Sequence, residues 1–130
     1  MSFPTTGPVD ETSARASCEA LPWAELTNPF GDETDVFKVR DRIFAILTVG
    51  AVPARVSLKC PPEHGAALVK EYESVIPGFH LNKKHWITIT LGGDVPAGLV
   101  DDLIVNSYGV VISGLPLSRR PPLAPGDHDT

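Results

Sequence analysis

Residues 77–91 read Pro-Gly-Phe-His-Leu-Asn-Lys-Lys-His-Trp-Ile-Thr-Ile-Thr-Leu. The last five alternate apolar and polar side chains, which, with Trp86 before them, predicts a strand over Trp86 to Leu91 with one face buried. Pro77-Gly78 predicts a turn just before it. Between turn and strand lie two lysines, two histidines and an asparagine, all within a few residues of Trp86. A polar and aromatic cluster on a loop fixed by a strand is a common place for binding residues.

The same alternation recurs upstream. Asp35 to Arg40 sets Phe37 and Val39 against Lys38 and Arg40. Arg55 to Lys59 sets Val56 and Leu58 against Arg55, Ser57 and Lys59. Ile43 to Val49 is almost wholly apolar, as expected of a central strand. Arg40-Asp41 fits a tight turn between the first two, without the usual glycine. Trp23 to Asn28 fits a short edge strand.

Helices frame these strands. One is expected to start near Asp10 to Thr12 and stop at Pro22, with Ala14, Cys18 and Leu21 at helical spacing. A second starts at Pro61-Pro62-Glu63, where proline suits a first turn, with Ala67, Leu68 and Tyr72 as its apolar side. A third opens with Asp94 and Pro96, runs through Leu99, Leu103, Ile104, Tyr108 and Val111, and ends at Gly114. Three consecutive strand signals imply antiparallel neighbours. The fold class is therefore α+β: a single antiparallel sheet with helices packed on one face. The expected core includes Phe44, Ile46, Leu47, Val56, Leu58, Ile87, Ile89, Leu103, Ile104 and Tyr108. Residues 1–9 are expected to form a disordered start and 118–130 a flexible, proline-rich tail, leaving 10–117 as the domain.

The chain has 130 residues, 42% of them hydrophobic, enough for a core without a disulfide or metal staple. No apolar run reaches the ~18 residues of a membrane span. No secretory signal is visible, and Cys18 and Cys60 are the two cysteines, so free thiols and a cytoplasmic location are expected. A monomer is expected. The net charge of −5 opposes non-specific nucleic-acid binding. The charge is unevenly spread, however: both ends are acidic, while the middle holds Lys38, Arg40, Arg42, Arg55, Lys59, Lys70, Lys83 and Lys84.

If the polar sides of the strands share a face, Lys38, Arg40, Arg55, Ser57, Lys59, Trp86 and Thr88 lie together. Cations there would neutralise phosphates, and the indole would stack on an unpaired base. The plain alternative is a solvated sheet surface with charges at alternate positions. Cys60-x3-His64 and His80-x4-His85 are too loosely spaced for a usual zinc site. No metal or other cofactor is expected. His80, Asn82 and His85 are instead expected to hold the loop, at least one of them by hydrogen bonds to its backbone. A histidine base acting with Ser107 has no supporting motif. There is no Gly-x-Ser-x-Gly elbow, phosphate loop or Gly-x-Gly-x-x-Gly.

The chain resembles the MmcQ/YjbR family of small bacterial proteins. The matching residues are Leu21-Pro22, Phe37-Lys38-Val39, Ile43-Phe44-Ala45, Val56-Ser57-Leu58-Lys59-Cys60, the run from Pro77 to Trp86, and Ser107-Tyr108. It departs at Arg40-Asp41-Arg42, where the family favours a glycine-containing turn before a lysine. The resemblance implies a frataxin-like (CyaY-like) α+β fold. Members are commonly labelled DNA-binding, and the family brings no catalytic residues to carry over. The expectation is a non-enzymatic module that binds DNA or other nucleic acid through Lys38, Arg40, Arg55, Lys59, Lys83, Lys84 and Trp86. A protein- or small-ligand-binding adaptor is the alternative, and an enzyme the second alternative.

Overall fold

The structure, a computed structural model, describes residues 11–29, 31, 33–49, 53–79 and 81–121. The element order is α1 (Glu11–Glu19), β1 (Glu25–Thr27), β2 (Thr34–Val39), β3 (Arg42–Thr48), β4 (Arg55–Lys59), α2 (Pro62–Glu71), β5 (Val75–Pro77), β6 (Trp86–Thr90) and α3 (Ala97–Ser113). A 3-10 turn follows at Leu117–Arg119. The strands form one antiparallel sheet in the order β1-β2-β3-β4-β6-β5.

Register fixes which side chains share a face. Leu58 lies opposite Ala45 and Ile87, and Val56 opposite Leu47 and Ile89. All six are buried, and they form the floor of the core. α3 lies across β2, β3 and β4, and α1 packs on α3 and β3. α2 covers β5 and β6, coming so close that a Cβ on Gly65 would sit 3.2 Å from Ile87 Cγ2. All three helices thus occupy one face. Strand phases match the alternation read from sequence. Ile46 does not: it points to the other face with Ser57 and Thr88 and is half-buried. Ala67 is exposed, because Gly65 and Leu68 carry the contact of α2.

Partner numbering slips by one residue between Phe37 and Lys38, leaving Phe44 as an extra residue in β3. Such a bulge lets two successive side chains point the same way. Phe44 and Ala45 are both fully buried. Phe44 meets Tyr108 edge-on at 5.3 Å. The bulge leaves the Phe44 carbonyl for a side chain: Ser107 Oγ donates to it at 2.6 Å and accepts the Lys59 N–H at 2.9 Å. Tyr108 Oη donates to the Pro22 carbonyl at 2.6 Å, tying α3 to the end of the α1 segment. The adjacent pair Ser107-Tyr108 thus clamps two parts of the chain to α3.

Arg40 and Asp41 do form the two-residue hairpin turn, both in the left-handed region at φ +52° and +68°. That is the primed geometry that glycine usually supplies. Asp94 does not open α3, whose N-terminal cap is Pro96. Its carboxylate accepts the Glu73 and Ser74 N–H groups at 2.9 and 3.0 Å. The Ser74 hydroxyl first, and then these main-chain bonds, lower its pKa below the ordinary carboxylate value. β5, just after that clamp, was not foreseen. β1 and β5, the two edges, have three residues each.

Cys18 in α1 and Cys60 between β4 and α2 are buried free thiols. Asp35, 6% exposed, is a buried carboxylate on the helix face. Arg15 of α1 contacts its Oδ2 at 2.5 and 3.0 Å, and Asn28 donates to its Oδ1 at 2.8 Å. Of the expected tail, residues 118–121 are described. Arg120 donates to the Leu115 and Ser113 carbonyls, and Pro121 is buried. Residues 1–9 and 122–130 lie outside the described residues. Among those described, no helix is long and apolar enough to cross a membrane.

Candidate functional site

The face opposite the helices carries three cross-strand rows. Thr34, Thr48, Arg55 and Thr90 form one. Val36, Ile46, Ser57 and Thr88 form the middle one. Lys38 and Ile43 lead into the third, with Lys59 and Trp86 at its far end. Lys38, Arg55, Lys59 and Trp86 therefore do share a face, as their alternation predicts. Lys38 also has Glu25 of β1 opposite it.

Arg40 is not among them. It belongs to the turn after β2, with its guanidinium 4.8 Å from the centre of the Trp23 ring. Its Nε donates to the Arg119 carbonyl at 2.9 Å. Trp23 is itself left-handed at φ +60°. The two line a polar groove of about 480 Å³ at one end of the sheet, with Glu25, Asp41 and Arg119. The two-residue turn takes Arg40 out of strand alternation, which is why its phase misled.

The loop between β5 and β6 is built around Gly78 and Asn82. The Gly78 N–H donates to the Trp86 carbonyl at 2.8 Å, and a Cβ on Gly78 would lie 2.7 Å from Trp86 Cβ. Only glycine lets the two strand ends close so tightly. Asn82 Oδ1 accepts the Lys84 and His85 N–H groups at 2.9 and 3.2 Å. Asn82 thus holds the loop, as expected of that cluster. His85 is exposed, and its carbonyl accepts the Cys60 N–H at 2.9 Å. His80 lies outside the described residues. Both Lys83 and Lys84 are exposed, and Lys83 Nζ donates to the Gly78 carbonyl at 2.9 Å, so this lysine braces the loop.

The loop then folds back over the open face. The Phe79 N–H donates to Thr88 Oγ1 at 2.9 Å, and Thr88 Oγ1 lies 2.8 Å from Ser57 Oγ. This explains why Ser57 and Thr88 are only 7% and 1% exposed on a face without helices. Arg55 stacks 4.7 Å from the centre of the Phe79 ring. At the other end Lys59 Nζ stands 5.8 Å from the Trp86 ring centre. Between loop and sheet runs a cleft of about 360 Å³. Ile46, Ser57 and Thr88 floor it, Phe79 and Leu81 roof it, and Arg55 lies along it. Phe79 and this cleft were not singled out from sequence. The available signal was Pro77-Gly78 directly ahead of an aromatic residue, a turn that returns the chain to its own sheet.

A second groove, of about 280 Å³, lies between α2 and the loop, with Cys60, Val69, Lys84 and Trp86 on its walls. Burial pushes the Cys60 thiol pKa up, which makes it a poor nucleophile at neutral pH. Cys60, His64 and His85 belong to no group of three or more metal-binding side chains, and no such group exists among the described residues. Ser107, once its two bonds are counted, is a structural hydroxyl.

Fold and face together define a small α+β domain that presents a cation-bearing sheet surface free of helices and covered in part by the loop after β5. The comparisons with known proteins agree on its lineage: the YjbR family model matches residues 19–110, and the chain belongs to that family. It is 38% identical over 117 residues to the uncharacterized protein YbdF of Escherichia coli O157:H7, covering 89% of this chain and 94% of that one. It is 34% identical to the uncharacterized protein YjbR of Escherichia coli K12, over 79% and 87% of the two chains. A Deinococcus radiodurans crystal structure, described as carrying the domain DUF419, superposes with a TM-score of 0.82 at 37% identity over 97% of both chains. A Pseudomonas syringae structure gives a TM-score of 0.58 at 27% identity, covering 67% of this chain and 86% of that one.

Proposed function

We propose that this protein binds single-stranded nucleic acid on the open face of its sheet, as a module without catalytic chemistry. The observation that carries the reading is the pair of cation–ring stacks on that face, Arg55 with Phe79 and Lys59 with Trp86. Cations neutralise phosphates, and aromatic rings stack on bases of any sequence. A duplex keeps its bases stacked on each other, so rings of this kind favour a single strand. The acidic side chains of α1 and α3, Glu19, Asp101 and Asp102 among them, belong to the helix layer on the opposite side. The overall negative charge is therefore compatible with a local cationic surface. The DNA-binding label that the family resemblance carries points the same way.

A binding rather than catalytic role is supported by the hydroxyls of Ser57, Thr88 and Ser107, all of which are engaged in structural bonds. One helix, an antiparallel run of strands and a closing helix, all helices on one face, support the frataxin-like (CyaY-like) description of the architecture. Two buried thiols that stay unpaired support a reducing, cytoplasmic setting.

A fluorescence titration with single- and double-stranded oligonucleotides at low salt tests the proposal. Single strands should bind more tightly, with affinity falling steeply as salt rises. Trp86→Ala should weaken them by about 1–3 kcal/mol. Replacing Lys59 and Lys84 together should weaken all sequences alike and flatten the salt slope. No binding at tens of micromolar protein refutes the reading and favours a small-ligand adaptor using the same face.

A further inference from the structure

We propose that the cleft between the folded-back loop and the sheet is a nucleotide subsite that takes one unpaired nucleotide, its base under Phe79 and its phosphate on Arg55. The identity of the ligand rests on the single-strand reading above.

The floor is a buried hydroxyl pair with a hydrogen to spare. Ser57 Oγ and Thr88 Oγ1 are 2.8 Å apart, and either can be the donor. The Phe79 N–H occupies a lone pair of Thr88 Oγ1, not a hydrogen. Two hydroxyls carry two hydrogens, and one of these bridges the oxygens. Whichever oxygen donates, the other hydroxyl keeps a hydrogen, and no acceptor among the described residues takes it. Leaving a buried donor unmade is costly. Here both hydroxyls line the cleft, so a ligand can supply the acceptor.

The wall adds donors of the same sense. The Arg55 guanidinium forms no ion pair among the described residues and lies along the cleft against the Phe79 ring. Arginine offers five N–H donors in a fork that matches phosphate oxygens. Ile46, Leu81 and Phe79 give the cleft an apolar surface that suits a flat ring, and Thr34 and Thr48 complete the lining. The cleft therefore selects a planar ligand with an acceptor at its inner edge and an anion at its mouth. A base bearing a carbonyl, attached to a phosphate, has both. At about 360 Å³ the space falls at the lower end of ordinary small-molecule sites, which suits one nucleotide and excludes a duplex. Lys59 and Trp86 on the same face then offer a charge and a ring to a neighbouring nucleotide.

The test is a titration of the isotope-labelled full chain with uridine 5′-monophosphate, followed by amide NMR shifts, with inorganic phosphate as the control. The nucleotide should move the Ser57, Phe79 and Thr88 amides, and phosphate should not reproduce the set. Arg55→Gln removes the charge, and Ile46→Phe fills the floor without touching Lys38, Lys59 or Lys84. Each should weaken the mononucleotide about tenfold. Circular dichroism checks that both variants fold, and Arg55→Gln alone suffices if Ile46→Phe does not. If oligonucleotides bind while the mononucleotide leaves these amides unmoved, or both variants bind it like the parent, the subsite is wrong and the sheet-face reading stands. Phosphate alone matching the nucleotide also overturns it. If the mononucleotide binds as expected but oligonucleotides do not, the subsite stands and the single-strand reading falls.

Discussion

Ser107→Ala should be among the most damaging single changes available outside the large core side chains. Its hydroxyl is fully buried and makes two bonds to main chain, donating to the Phe44 carbonyl and accepting from the Lys59 amide. Neither group can turn to a strand neighbour, because the bulge and the end of β4 interrupt the ladder there. Truncation removes one oxygen, too small a space to admit a water readily. Each orphaned group costs about 1–3 kcal/mol. Allowing for partial relaxation, the loss should be about 2–4 kcal/mol, a large share of the about 5–15 kcal/mol that holds a domain together. Urea unfolding followed by far-ultraviolet circular dichroism gives the difference, and the slope with urea should stay unchanged. Native-state exchange should show the Lys59 amide losing protection. A loss below about 0.5 kcal/mol, within the range of ordinary surface substitutions, would mean that the clamp is not what holds the bulge.

Gly78→Ala should cost about 1–3 kcal/mol, because the new methyl meets Trp86 Cβ at 2.7 Å and Leu81 Cβ at 3.1 Å and the strand ends must part. A shift in Trp86 emission, read in a Trp23→Phe background, should accompany it; unchanged stability and emission would refute the close approach. Cys18 predicts an alkaline effect. Burial, aided by Glu19 and Asp101, pushes its thiol up to about 12 from an unfolded value of 9.0. A pKa raised by folding leaves stability whole below pH 9.0 and drains it as pH rises toward 12. Between pH 9.0 and 10.5 the parent should lose about 1.6 kcal/mol more than Cys18→Ala, the slope approaching about 1.36 kcal/mol per unit only once the unfolded thiol is ionised. Parallel stability curves for the two would remove Cys18 as the cause.

Much of this architecture was legible because β4 and β6 alternate cleanly. Val56 and Leu58 against Ser57 and Lys59, and Ile87 and Ile89 against Thr88, announce their own faces. β5 escaped notice since Val75-Ile76-Pro77 is too short for a period and ends in a strand breaker. Asp94 looked like a helix cap because an acidic residue ahead of a proline often is one, yet its partners lie about twenty positions upstream, at Glu73 and Ser74. The bulge at Phe44 left no trace, because an all-apolar run hides a slip of one residue. The candidate site was half legible. The signature run marked where polar and aromatic groups gather. That Phe79 turns back to cover Ser57 and Thr88 depends on a hydrogen bond nine residues away in the chain, which no local pattern encodes.

The two rims of the sheet bear on how this molecule behaves in a crowded solution. A bare sheet face invites company, and unpaired strand borders are where fibrils begin. Here a passing strand finds three residues at β1, Glu25 among them, and three at β5, where Pro77 has no N–H to offer. So short and interrupted a template disfavours strand addition at either rim. Lengthening β5 by replacing Pro77 would therefore be the change to avoid in any engineered version.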